Sequence, residues 1–228
     1  MKPKVISFDL FQTLVDVNQR IPQIWEGILE EEYKKELGEK GAQVIMKCYS
    51  DTIQTILDSD DYFFTMDEVY MMSANKAVEI LGYQVTPRKI VDHLLYQHSK
   101  APFFEDSIKC IHALKKRYKV VICSDSNHRM VDELIPAIQP STTFISDDLH
   151  SYKASKDQKF FTHVLSTLGI SPSEMVHIGD SSHDIIGAKR AGIPSVWINR
   201  NQLEWNSEYK PDVIVSSLYQ LEDAIEAL

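Results

Sequence analysis

The stretch Val5-Ile6-Ser7-Phe8-Asp9-Leu10-Phe11-Gln12-Thr13-Leu14 decides the fold. Its first four residues are apolar or small, which predicts a short buried strand, and the turn that follows begins with an acidic side chain. Five later segments are similarly short and rich in β-branched residues. They are Lys119 to Cys123, Thr143 to Ile145, Met175 to Ile178, Ser195 to Ile198 and Val213 to Val215.

Helical patterns separate most of these strands. Ser107 to Arg117 carries apolar residues at helical spacing, and Lys159 to Leu168 does the same before Gly169, a typical C-terminal stop. Alternation of strands and helices predicts an α/β fold with a doubly wound, mainly parallel sheet and helices on both faces. Ligands of such folds bind beyond the carboxyl ends of the strands, so polar residues there are the first functional candidates.

Residues 17–99 break the alternation and contain only helical patterns. Met66 to Leu81 predicts one long helix, and Thr86-Pro87 predicts the N-cap and first residue of another. We therefore expect an α-helical cap domain at 17–99, inserted after the first strand, and an α/β core formed by 1–16 and 100–228. Lids of this kind exclude water and select substrates.

The composition is that of an ordinary globular protein. The 228 residues carry a net charge of −9, and the longest basic run is Lys115-Lys116-Arg117, so we expect no nucleic-acid partner. Apolar runs fall well short of the roughly 20 residues that span a bilayer, and the N-terminus lacks a signal-peptide pattern. These features predict no membrane partner and a cytoplasmic location, and they leave the oligomeric state open.

Four polar signals stand at or after the ends of predicted core strands. They are Asp9 in Phe8-Asp9-Leu10-Phe11-Gln12-Thr13, Ser124 after Cys123, Lys153 in Ser151-Tyr152-Lys153, and the run Gly179-Asp180-Ser181-Ser182-His183-Asp184. In this order they resemble the four motifs of the haloacid dehalogenase-like hydrolase superfamily, and the resemblance covers the whole core. Alone, each residue has an ordinary explanation as a turn, cap or surface residue.

The resemblance implies a role for each matching residue. Asp9 is the expected covalent nucleophile, because a carboxylate can divide one difficult displacement into two easier steps. Ser124 and Lys153 are expected to act with it by holding the negative oxygens of the substrate. The remaining candidates are Phe11, Gln12, Asp125 and Ser181 for substrate binding, and Asp9, the carbonyl of Phe11, Asp180 and Asp184 for a Mg²⁺ cofactor.

The nucleophile loop departs from the family pattern at two positions. Phosphatases of the superfamily carry a second Asp, a general acid and base, where this chain has Phe11, and Gln12 stands where Gly is usual. His183 and His128 are candidates to replace the missing acid. Ala154 also stands where Pro is common, which makes Lys156 an alternative to Lys153.

An aromatic residue at position 11 makes 2-haloacid dehalogenation the rival reaction. The family's dehalogenases have a Tyr there, and their leaving halide needs neither a proton nor a metal. Against this, Asp180 keeps the metal carboxylate, and neither Arg20 nor Lys40 matches the cap arginine that receives the halide. A third possibility is a degenerate member that binds a phosphorylated ligand or a protein partner without turnover. The sequence favours Mg²⁺-assisted hydrolysis of a small phosphorylated metabolite through an aspartyl-phosphate.

Overall fold

The computed structural model describes residues 3–59 and 62–228, and within them the chain forms two compact units. The first, called here the α/β unit, consists of the chain up to Asp16 together with Phe103–Asp125 and Ile135–Leu228. The second, called here the helical unit, consists of Val17–Pro102 and Ser126–Leu134. The short segment Ser126–Leu134, which the sequence assigns to the core, thus belongs to the helical unit.

A six-stranded parallel sheet forms the centre of the α/β unit. The strands are β1 Val5–Phe8, β2 Lys119–Ser124, β3 Thr142–Ile145, β4 Met175–Gly179, β5 Ser195–Ile198 and β6 Val213–Val215. Their order is β3-β2-β1-β4-β5-β6, and every described strand pairing is parallel. The predicted doubly wound α/β fold is confirmed, with each strand within one residue of its predicted bounds.

The direction of winding reverses on either side of β1, which pairs with both β2 and β4. Ligands of open parallel sheets bind at such a switch point, beyond the carboxyl ends of the strands. All four residues of β1 are buried, as the uninterrupted run of small and apolar residues requires in a sheet covered on both faces.

Helices flank the sheet. They are α5 Ser107–Leu114, α7 Ile135–Ile138, α8 Ser146–Leu149, α9 Lys159–Leu168, α10 Ser182–Arg190 and α11 Leu221–Glu226. Helix α9 has its predicted bounds and ends at Gly169, whose φ of 65° lies in the left-handed region that favours glycine. Helix α5 ends three residues before the predicted Arg117, because the chain turns there to enter β2: the Tyr118 amide donates to the Leu114 carbonyl at 2.9 Å.

The described part of the helical unit contains helices and no strands. The helices are α1 Ile21–Leu29, α2 Lys35–Ser59, α3 Met66–Leu81, α4 Pro87–Ser99 and α6 His128–Val131. Thr65 caps α3 with a reciprocal bond pair to Glu68, and Thr86 caps α4 ahead of Pro87 as predicted. The function of this unit as a cap over Asp9 stays a prediction. No helix in the described ranges has both the length and the apolar character needed to cross a bilayer.

Candidate active site

Three neighbouring strands deliver the candidate residues to one edge of the sheet. Asp9 follows β1, Ser124 ends β2, and Asp180 follows β4, so each lies at the carboxyl end of its strand. The Asp9 amide donates to the carbonyl of Ile178 at 2.8 Å, which continues the β1–β4 ladder to the nucleophile itself. Sequence positions up to 171 residues apart therefore meet at the predicted place.

Lys153 joins two of the predicted acidic residues. Its ammonium donates to Oδ1 of Asp9 at 2.6 Å and to Oδ1 of Asp184 at 2.5 Å. All three side chains are buried, with exposures of 3% for Lys153, 9% for Asp9 and 1% for Asp184. Lys156, the alternative suggested by the sequence, is exposed. The structure therefore brings Lys153 to the candidate nucleophile.

Asp180 completes an acidic cluster with Asp9 and Asp184. One carboxylate oxygen from each of the three lies within 4.8 Å of the others. Thr13 donates to Oδ1 of Asp180 at 3.1 Å, and the indole of Trp197 donates to its backbone carbonyl at 2.7 Å. Carboxylate oxygens are the ligands that a hard divalent cation prefers, so the donor set fits the Mg²⁺ that the sequence predicts.

The start of α10 holds Asp184 in place. Ser181 caps this helix and donates to Oδ2 of Asp184 from its amide at 3.1 Å and from its hydroxyl at 2.6 Å. A Cβ atom on Gly179 would lie 2.2 Å from Cγ of Asp184, far inside contact distance. Only glycine permits this carboxylate to approach the end of β4. The predicted substrate contact of Ser181 stays a prediction, while its observed partner is Asp184.

The loop that carries Lys153 is fixed on two sides. The Lys153 amide donates to Oδ1 of Asp125 at 3.0 Å, and Arg190 donates to the carbonyl of Ala154 at 2.7 Å. Gly187 of α10 faces the Lys153 carbonyl so closely that a Cβ atom would lie 2.2 Å from it. Asp125 thus supports the backbone of Lys153, and its predicted contact with substrate stays a prediction.

The turn after β1 explains the second departure from the family pattern. Gln12 adopts a φ of 61°, in the left-handed region where glycine is favoured, and its amide donates to the Val15 carbonyl at 2.7 Å. The loop therefore keeps the geometry that a glycine would give, at the expense of some strain in Gln12. Phe11 and Gln12 are both partly exposed, and their predicted contacts with substrate or metal stay predictions.

The pKa values of the three carboxyl groups shift in different directions, upward for Asp9 and Asp180 and downward for Asp184. Burial, together with the charge of Asp184, raises the pKa of Asp9 to about 7, against the opposing effect of Lys153. Burial and the two neighbouring carboxylates also raise the pKa of Asp180 well above its usual value. Burial alone would raise the pKa of Asp184, but Lys153 and a hydrogen bond from His177 hold it below its usual value. One ammonium thus offsets only part of the negative charge, and a cation would relieve the rest.

The sequence analysis missed His177, Ser7 and the pair Asp106–Arg200. His177 is fully buried in β4 and reaches Asp184, and Ser7 contacts it from β1. Arg200 donates to both carboxylate oxygens of Asp106 and to the carbonyl of Thr13 at 2.9 Å, behind the nucleophile loop. These residues lie inside apolar runs or outside every recognised motif, so no local pattern marks them.

The two histidines considered as substitutes for the missing acid differ in position. His183 is half-buried in the first turn of α10, one residue before Asp184, and contributes to the electrostatic environment of Asp125. His128 lies in the helical unit, exposed, with Nδ1 2.9 Å from a carboxylate oxygen of Asp132. A catalytic role for either stays a prediction.

Comparison with known proteins identifies the family of the chain. The model of the haloacid dehalogenase-like hydrolase family matches residues 3–192, most of the chain. The chain belongs to the haloacid dehalogenase-like hydrolase family. It is therefore a hydrolase of that superfamily, as the four motifs predict.

Relatives in this family carry out different reactions. "Putative pyrophosphatase PpaX" of Clostridium perfringens is 24% identical over 99% of this chain and 98% of its own length. The (S)-2-haloacid dehalogenase 4A of Burkholderia cepacia is 27% identical over 57% of this chain and 58% of its own. The phosphoglycolate phosphatase of Escherichia coli is 37% identical over 35% of this chain and 31% of its own. Both phosphatases and dehalogenases are thus among the relatives.

Solved structures of similar proteins confirm the fold. The L-2-haloacid dehalogenase of Xanthobacter autotrophicus superposes with a TM-score of 0.83 at 18% identity, covering 99% of each chain. The Bacillus subtilis HAD-hydrolase YfnB, in a structure bound to magnesium, gives a TM-score of 0.81 at 16% identity with the same coverage. At such identities the likeness concerns the fold alone.

Proposed function

We propose that this hydrolase cleaves a small phosphorylated metabolite with the help of Mg²⁺, through a phosphoryl intermediate on Asp9. The observation that carries the proposal is the acidic cluster. Asp9, Asp180 and Asp184 bring carboxylate oxygens within 4.8 Å of one another, and two of these residues share the single ammonium of Lys153. A reaction that needs no cation gains nothing from Asp180 in this position.

The cation would be held by the carboxylates of Asp9 and Asp180 and by the carbonyl of Phe11, with Asp184 in support. When bound, Mg²⁺ neutralises these carboxylates and draws electron density from a phosphoryl oxygen. This assignment is supported by the donor chemistry of the cluster and by its burial with neighbouring carboxylates, which raises the pKa values of Asp9 and Asp180.

The residues of the chain then divide the reaction into two steps. The Asp9 carboxylate attacks phosphorus; a new oxygen–phosphorus bond forms and the bond to the leaving oxygen breaks. Lys153 and Ser124 hold the phosphoryl oxygens. Water then attacks the same phosphorus and the bond to the Asp9 oxygen breaks, so that the Asp9 carboxylate is restored and the protons of the water leave with the inorganic phosphate.

Phe11 limits the leaving group. With no carboxyl group at this position to donate a proton, an alkoxide would leave slowly, because general acid assistance typically contributes about 10²–10⁴ in rate. Phosphoanhydrides and acyl phosphates need little protonation, and we infer that these are the preferred substrates. The Clostridium perfringens relative is named as a pyrophosphatase, and pyrophosphate is a phosphoanhydride.

A substrate panel tests this function. Pyrophosphate, acetyl phosphate, p-nitrophenyl phosphate and glycerol phosphate are assayed for phosphate release with and without Mg²⁺. We expect turnover that depends on Mg²⁺ and favours the first three, and no turnover by a folded Asp9→Asn variant. Turnover that persists in Asp9→Asn would refute the role of Asp9 as nucleophile.

Dehalogenation is the second candidate, and Phe11 is the observation that favours it. A halide leaves without a proton, so an aromatic residue at position 11 does not impede dehalogenation. The Burkholderia cepacia relative is named as a 2-haloacid dehalogenase. Halide release from 2-chloropropionate, equal with and without Mg²⁺, would replace the phosphatase proposal. Ligand-dependent stabilisation with no turnover of either class would instead indicate a binding protein.

A further inference from the structure

A buried histidine lies beneath the acidic cluster. His177 points from β4 toward α10 and is fully buried; its Nε2 lies 3.2 Å from Oδ1 of Asp184. On the other side of the ring, Nδ1 lies 2.8 Å from the hydroxyl of Ser7, which is its register partner in β1. Phe161 packs edge-on against the imidazole with ring centroids 5.0 Å apart. The ring is thus held on three sides.

These contacts assign the proton on the ring. An ionised carboxylate only accepts hydrogen bonds, so the nitrogen that faces Asp184 must carry the hydrogen. A neutral imidazole carries one N–H, which makes Nδ1 the acceptor and Ser7 the donor. A buried imidazolium beside the ammonium of Lys153 would place two cations together, so the neutral form is favoured.

Asp184 has no acceptor position to spare once this bond is counted. Its Oδ1 accepts from Lys153 at 2.5 Å and from His177, and its Oδ2 accepts from the amide and the hydroxyl of Ser181. A carboxylate offers about four lone-pair positions. All four are used by groups of this chain.

We propose that His177 is a positioning residue, which orients Asp184 through the bond from Nε2 so that Asp184 holds Lys153 against Asp9 instead of ligating the cation directly. Ser7 contacts Nδ1 on the other side of the ring at 2.8 Å and holds the ring in the orientation that makes this bond. The inference rests on the proposed function, because it assigns parts within that site. It divides the acidic cluster into two members that face the cation, Asp9 and Asp180, and one that anchors the lysine.

Long-range proton–nitrogen NMR tests the first step without any measurement of activity. Spectra of ¹⁵N-histidine-labelled protein are recorded near neutral pH with and without Mg²⁺, and the signal of His177 is identified by its loss in His177→Gln. We expect the Nε2–H tautomer in the wild type and also in Ser7→Ala, because the carboxylate of Asp184 only accepts hydrogen bonds. A wild-type ring protonated on Nδ1, or on both nitrogens, would overturn the proposal.

Kinetics and metal binding test the second step. His177→Phe keeps a ring but loses the donor, and we expect kcat for acetyl phosphate to fall about 10- to 100-fold, the usual effect of removing a group that orients a site residue. The Mg²⁺ dissociation constant, measured by calorimetry, should change far less than kcat, because Asp184 does not ligate the cation. His177→Gln, whose amide can donate from a similar position, should recover most of the lost kcat.

Controls separate this effect from general damage. His163 is an exposed histidine of α9 whose ring lies 6.3 Å from that of Phe144, and His163→Gln should leave kcat and stability unchanged.

If His177→Phe does not fold, Ser7→Ala provides the same test with a smaller change and should lower kcat while metal affinity is kept. Equal kcat in the wild type, His177→Phe and Ser7→Ala would overturn the proposal, as would a tenfold weaker affinity for Mg²⁺ in a folded His177→Phe. A wild type that neither binds Mg²⁺ nor cleaves acetyl phosphate or a phosphoester would refute the proposed function. The NMR result does not depend on turnover, so it would still test the role of His177.

Discussion

Substitution of Gly187 by alanine should damage the site, although Gly187 is not itself a candidate catalytic residue. Gly187 lies in the middle of α10, where alanine would normally be the better residue by about 1 kcal/mol. The added Cβ atom, however, would meet the Lys153 carbonyl oxygen at 2.2 Å and Cε2 of Phe161 at 2.9 Å. The backbone of the Lys153 loop would have to retreat by about 1 Å to reach normal contact distance.

The expected magnitude follows from these two effects. Overpacking of a filled interior costs about 1–3 kcal/mol, and the upper end applies because the main obstacle is a backbone atom. After the gain in helix propensity, the free energy of unfolding should fall by about 1–2 kcal/mol. Activity should suffer more, because a displacement of about 1 Å at a positioned group can reduce the rate about 10²-fold.

Urea denaturation and steady-state kinetics with acetyl phosphate measure the two effects. Ser166→Ala, at an exposed position of α9, is the control and should keep both values. A Gly187→Ala variant with wild-type stability and wild-type kcat/KM would refute the reasoning, since it would show that the Lys153 loop does not depend on close contact with α10.

Three further predictions follow from single residues. Phe11→Asp should raise the rate of glycerol phosphate hydrolysis by up to about 10²-fold, because it supplies the missing general acid. Gln12→Gly should raise the free energy of unfolding by up to about 1 kcal/mol, because it relieves the positive φ of 61°. Asp106→Asn should lower the free energy of unfolding at pH 7 by about 2–3 kcal/mol, because Arg200 loses a buried partner.

The pH dependence of the last variant has a definite sign. Burial would raise the pKa of Asp106, but hydrogen bonds from Arg200 and Ser217 outweigh it and hold the pKa below its usual value. Because the pKa of Asp106 is lower in the folded state, its ionised carboxylate stabilises the fold at pH values above the unfolded-state pKa of about 3.9. This contribution to the free energy of unfolding is lost as the pH falls through the folded-state pKa. Wild type and Asp106→Asn should therefore differ in urea denaturation at pH 7, begin to approach one another below about pH 4, and converge below the folded-state pKa.

The other two outcomes are also decided by direct measurements. A folded Phe11→Asp variant with an equal or lower rate on glycerol phosphate would argue that the loop is not phosphatase-like. Urea denaturation of Gln12→Gly that shows a loss of stability would mean that the Gln12 side chain contributes more than its backbone strain costs.

Strand positions and motif order could be predicted from the sequence because both are local signals. Each strand is a short apolar run, and each candidate polar residue directly follows one, so the parallel topology brings Asp9, Ser124 and Asp180 to one edge. Lys153 could be predicted only from its place between the second and fourth motifs. Its two carboxylate partners are 144 and 31 residues away.

Interactions between distant residues within apolar patterns could not be predicted. His177 occupies a position in β4 that reads as part of a buried strand, and only the register with Ser7 and the approach of Asp184 give it a role. Arg200 and Asp106 are 94 residues apart and belong to no motif. At position 12 the sequence predicts a turn. It does not predict that Gln12 can adopt the positive φ of 61° that this turn requires.

Trapping of the covalent intermediate tests the central claim most directly. The enzyme is mixed with acetyl phosphate and Mg²⁺, quenched in acid within the first turnover, and digested for peptide mass spectrometry. We predict a phosphoryl group on the peptide that contains Asp9, absent from Asp9→Asn and much reduced without Mg²⁺. Turnover with no phosphoryl group on that peptide, or an alkyl ester at Asp9 formed from 2-chloropropionate without metal, would contradict the account.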